Sequence, residues 1–80
     1  MPEHVTPEAV EQLIEEVTAR YAEQIIAERR AHTDPERLQD LKNKLETCAA
    51  DRQALQDADH DEVAEIAARY TARLKEFKDQ

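Results

Sequence analysis

A chain of 80 residues with no glycine, three prolines, one cysteine and no tryptophan reads as a single small all-α domain over 1–80, because it lacks the residues that tight hairpins need and buries only a little over ~60% of its extended surface. Nineteen acidic against eleven basic side chains leave a net charge of -8, which opposes nucleic-acid backbones and anionic membranes unless charge is segregated on the folded surface. One cysteine excludes an internal disulfide, and no stretch nears the ~18 apolar residues of a membrane span.

The opening Met1-Pro2-Glu3-His4 lacks the basic start and apolar run of a signal peptide, so the expected location is the cytoplasm, with the thiol reduced. His4, His32 and His60 then recur every 28 residues. The first two head similar phrases, His4-Val5-Thr6-Pro7-Glu8 and His32-Thr33-Asp34-Pro35-Glu36, and His60-Asp61-Glu62-Val63 is a weaker third copy. Because 28 is four heptads, the three units are expected to present equivalent positions on the same face.

Thr6, Pro7 and Glu8 form a helix start: a side-chain acceptor, a first-turn proline whose missing N–H costs nothing, and an acid at the positive helix terminus. Val10, Leu13, Ile14, Val17, Tyr21 and Ile25 keep helical spacing and predict a first helix over 7–31, with Arg29 and Arg30 in its last turn. Asp34-Pro35-Glu36 repeats the start. Leu38, Leu41, Leu45, Cys48, Arg52 and Leu55 then alternate at three and four, a heptad seam over 35–56 that Arg52 interrupts, reaching toward carboxylates of a neighbouring helix or along its own stem to water.

Gln56 to Glu62 holds neither glycine nor proline, yet Asp59 and Glu62 have capping-box spacing. The apolar phase also resets to Val63, Ile66, Tyr70, Leu74 and Phe77, predicting a turn and a third helix over 60–78. Short connections give an up-down-up three-helix bundle; the rival is a helical hairpin or long-helix form completed by dimerisation. Leu13, Ile26 and Tyr70 flank the seams as candidate partner-facing residues. Ala19, Ala22, Ala50, Ala64, Ala67 and Ala68 suit close helix approach.

If both turns form, residues 1–18 and 48–66 share one end and hold eleven acidic side chains against Arg52 alone. The remaining stretches hold ten basic against eight acidic. Acids at helix starts and bases at helix ends also complement helix dipoles, which by itself accounts for much of this layout. Parallel first and third helices would bring two acidic starts together, a repulsion that a cation or a partner would relieve.

Chemistry is sparse. Asp57-Ala58-Asp59-His60-Asp61 resembles a calcium loop, but Glu62 stands where glycine is needed and Ala68 where the bidentate glutamate belongs. His4 and His60 match no metal-ligand spacing, Cys48 sits on the apolar seam as a core residue, and the carboxylates lack a walled cleft to separate their pKa values. No catalytic residue, metal or cofactor is therefore expected.

The leading functional expectation is a non-enzymatic protein-interaction module, an adaptor or antagonist, that presents helix faces and an acidic pole to a basic protein partner. Glu11, Glu15, Asp57, Asp59, Asp61 and Glu62 are the candidate binding residues. A self-associating structural or assembly protein, possible as a homodimer, is the first alternative. A DNA-binding accessory using the Arg29 to Lys44 end is the second, disfavoured because Asp34, Glu36 and Asp40 interleave with the bases.

Overall fold

The computed structural model describes residues 6–32 and 34–79; Glu3, His4 and Thr33 lie outside them. Three helices run in chain order, α1 (Pro7–Ala31), α2 (Pro35–Leu55) and α3 (His60–Lys78), and the described residues contain no strand. They pack as the all-α three-helix bundle expected from the periodicity. The second helix ends one residue short of expectation, at Leu55, with Gln56 as its cap.

Every helix start is built by the side chains that announce it. Thr6 Oγ1 accepts the Ala9 N–H at 3.2 Å, and the Asp34 carboxylate accepts those of Glu36 and Arg37 at 3.0 and 3.2 Å. Asp59 accepts the Glu62 N–H at 2.9 Å while Glu62 accepts the Asp59 N–H at 3.4 Å, a reciprocal capping box. Since this box replaces glycine and proline in ending one helix and beginning the next, Asp59→Ala is expected to cost about 1 kcal/mol. A urea titration of the variant checks this, with a loss under a few tenths showing that the turn is held by core packing instead.

α1 is the common helix. Val10, Ile14, Val17, Tyr21 and Ile25 are buried, and α1 packs against both α2 and α3, which meet each other far less. α2 contributes Leu41, Cys48 and Leu55, every seventh residue, while Leu38 and Leu45 are only half-buried. α3 contributes Val63, Ile66, Ala67 and Tyr70, with Leu74 and Phe77 at its margin. The Tyr21 and Phe77 rings meet edge to face, centroids 5.3 Å apart.

Several expectations are corrected. Tyr70 does not flank the core; it is 0% exposed and the largest fully buried side chain, because its register on α3 points it between the other two helices. Leu13 is half-buried, and Ile26 alone among the large apolar side chains described is strongly exposed, at 53%. Of the six alanines, only Ala67 is buried.

The 28-residue register also fails to give one common face. Val10 and Ile14 correspond to buried Ile66 and Tyr70 on α3, 56 residues on, but Ile14 and Tyr21 correspond to Lys42 and Ala49 on α2, neither buried. The parallel helices α1 and α3 share a face, whereas α2 runs the opposite way and reaches the core after rotation about its axis.

Candidate functional site

The two turns place the first turn of α1, the last of α2 and the first of α3 at one end of the bundle. This collects the acidic stretches as expected, but most of the six candidate carboxylates already have work inside the fold. Arg52 leaves the seam of α2 and bridges two of them, its Nε 3.6 Å from Glu11 Oε2 and its Nη2 3.4 Å from Glu15 Oε2. All three side chains are about half exposed, so each pair contributes ~0–1 kcal/mol. Their larger effect is to relieve acid crowding where α1 meets α2.

Asp59 and Glu62 are spent on the capping box. Asp57 and Asp61 are exposed, and neither forms an ion pair among the described residues. Glu8 and Glu11 line a small depression with Pro7, Leu55 and Gln56 at this same end. The outward-facing charge thus narrows to Glu8, Glu16, Asp57, Asp61 and Glu65, flanked by carboxylates that serve structural partners.

Asp51, counted by sequence with this acidic group, turns inward. It accepts the Tyr70 hydroxyl at 2.5 Å and lies 3.8 Å from Arg69 Nη2, with its side chain 15% exposed. The Arg73 guanidinium covers the Tyr70 ring, 4.8 Å from its centroid. Burial, foremost, and then the hydrogen bond to Asp51 and the neighbouring Cys48 push the Tyr70 hydroxyl well above its ordinary pKa. This Asp51, Tyr70 and Arg69 cluster ties α2 to α3. Its sequence signal was position: Asp51 stands three residues after Cys48 and four before Leu55, on the core-facing side of its helix.

At the opposite end two of the bases are engaged. Arg37 Nε reaches Glu28 Oε1 at 3.1 Å, and Lys44 lies 3.2 Å from Asp40 and 5.9 Å from the centre of the Tyr21 ring. Beside them Glu28, Arg29, His32, Asp34, Pro35 and Leu38 surround an open depression of about 430 Å³. A second, of about 410 Å³, runs between α1 and α2, floored by Ala22, Leu45, Cys48 and Ala49.

Among the described residues no group of three or more His, Cys, Asp or Glu is placed to hold a metal ion. Among those residues no helix is long and apolar enough to cross a membrane. Comparison with protein-family models, with curated proteins and with solved structures finds no match to this chain.

Proposed function

We propose that the protein is a non-enzymatic interaction module, acting in the cytoplasm, whose acidic end receives a basic segment of a partner protein. The observation that supports this is the convergence of three helix termini on one end, where Asp57 and Asp61 stay exposed beside carboxylates held in place by Arg52 and by the capping box. A preorganised cluster of one sign steers an opposite charge over a Debye length of ~8 Å at physiological salt. Nucleic acid fits less well, since Arg37 and Lys44 are paired with acids of their own surface.

A short lysine-rich peptide is the probe, followed by amide chemical shifts. Shifts are expected to concentrate on the first turn of α1 and on residues 57–62, and the double reversal Asp57→Lys, Asp61→Lys is expected to weaken binding about tenfold or more. Binding unchanged at about 1 M salt, where screening leaves only ~3 Å of reach, would remove the acidic end from the account. So would shifts spread evenly over both ends.

Self-association is a second reading, favoured by Ile26 and by the half-buried Leu38 and Leu45 along the edge between α1 and α2.

A further inference from the structure

Resting on that second reading, we infer that the partner of the edge between α1 and α2 is a second copy of this chain, docked antiparallel so that the two α1 helices pair about Ala22. One stripe of α1 carries Glu15, Thr18, Ala22, Ile26 and Arg29 at alternating three- and four-residue steps, and it borders the groove floored by Ala22, Leu45, Cys48 and Ala49. Small residues occupy the middle, an acid one end and a base the other.

Charge complementarity selects the copy and its direction. Glu15 and Arg29 stand seven residues on either side of Ala22, so a twofold axis through Ala22 sets Glu15 of each protomer against Arg29 of its partner. Parallel docking would instead oppose like charges. They do not pair within one chain, because fourteen residues of helix separate them by ~21 Å. At the acid end Glu11 and Glu15 share only Arg52, and a second arginine from the partner brings that group to two acids and two bases.

The same register supplies the apolar fit. Glu28 bonds Arg37 and Lys44 covers Tyr21 across the α1 to α2 contact, which fixes how α2 lies beside α1. A partner α1 paired about Ala22 then runs parallel to α2 and brings its Ile26 over Leu45 and Ala49, the half-open part of the groove. The exposed isoleucine and the groove it lacks within its own chain become complementary across the dimer.

Sedimentation equilibrium over about two decades of concentration reads the outcome for the wild type, Glu15→Arg, Arg29→Glu and the double swap. A wild-type dimer is expected, weakened about tenfold or more by either single reversal and restored by the double swap, since only an intermolecular pair is re-formed. Ala22→Arg, at a half-exposed position outside the core, is expected to give a folded monomer by circular dichroism. A wild-type dimer that ignores Ala22→Arg, or that the double swap fails to restore, overturns this pairing and leaves self-association standing. A wild type that stays monomeric throughout overturns both.

Discussion

Replacing Tyr70 with alanine is expected to remove most of the stability of the fold. The side chain is fully buried where α3 meets both other helices, and emptying such an aromatic site costs ~3–5 kcal/mol. A domain of this size has only ~4–12 kcal/mol to lose. Tyr70→Phe keeps the ring and deletes only the hydroxyl that donates to Asp51. Asp51 retains Arg69 and some solvent, so this variant is expected to lose about 1–2 kcal/mol. Urea titrations followed by circular dichroism separate the two contributions. Equal losses would mean that the hydroxyl, not the ring, holds α3; a loss under about 1 kcal/mol for alanine would mean that α3 docks through other residues.

The same pair of variants isolates a pH effect. Tyr70 is neutral when protonated, and its folded-state pKa lies above the ordinary value of 10.0 because burial disfavours the phenolate and because Asp51 is already negative. The folded state thus holds its proton more tightly than the unfolded chain. The stability this contributes is fully present below pH 10 and is lost progressively as pH rises above it. Every other side chain is common to the two proteins, so the difference between wild type and Tyr70→Phe isolates Tyr70. That difference is expected to shrink as pH climbs past 10, and a constant difference would place the hydroxyl in a solvated setting.

Much of this architecture is legible because each helix carries its own start signal within four residues: Thr6 with Pro7, Asp34 with Pro35, Asp59 with Glu62. Such caps are local, and local chemistry survives without knowledge of the tertiary fold. The end of α1 is less legible. His32 closes it in the left-handed region, φ 54°, and donates its N–H to the Glu28 carbonyl at 2.9 Å, a position usually given to glycine or asparagine. With no glycine in the chain, the boundary was marked only by the bases Arg29 and Arg30 and by the following Asp34-Pro35.

The candidate site was legible in location and not in detail. Periodicity placed the acidic termini at one end, but counting charges treated Asp51, Asp59 and Asp61 alike. Spacing marks Asp59 as a cap, but only side-chain geometry separates Asp51, folded into the interface of α2 and α3, from Asp61, which faces water. Charge counts follow from sequence alone, whereas the charge left over for a partner depends on which internal cations and amides have already taken their share.

Two isoleucines on α1 should respond oppositely to the same truncation. Ile14 is 1% exposed among residues of all three helices, and Ile14→Ala is expected to cost ~2–5 kcal/mol through lost burial and a residual cavity. Ile26, at 53% exposure, has little to lose within its own chain. Ile26→Ala is expected to change the unfolding free energy of dilute protein by less than about 0.5 kcal/mol. If Ile26 packs over Leu45 and Ala49 of a second copy, however, its truncation lowers the concentration dependence of the urea midpoint, because association stabilises only the folded state. Ile14→Ala lowers the midpoint at every concentration. An Ile26→Ala protein that loses as much stability as Ile14→Ala when dilute would place this side chain in the core of the monomer. The edge between α1 and α2 would then have no large exposed apolar side chain to offer a partner, only the half-buried Leu38 and Leu45 and the small residues of the groove floor.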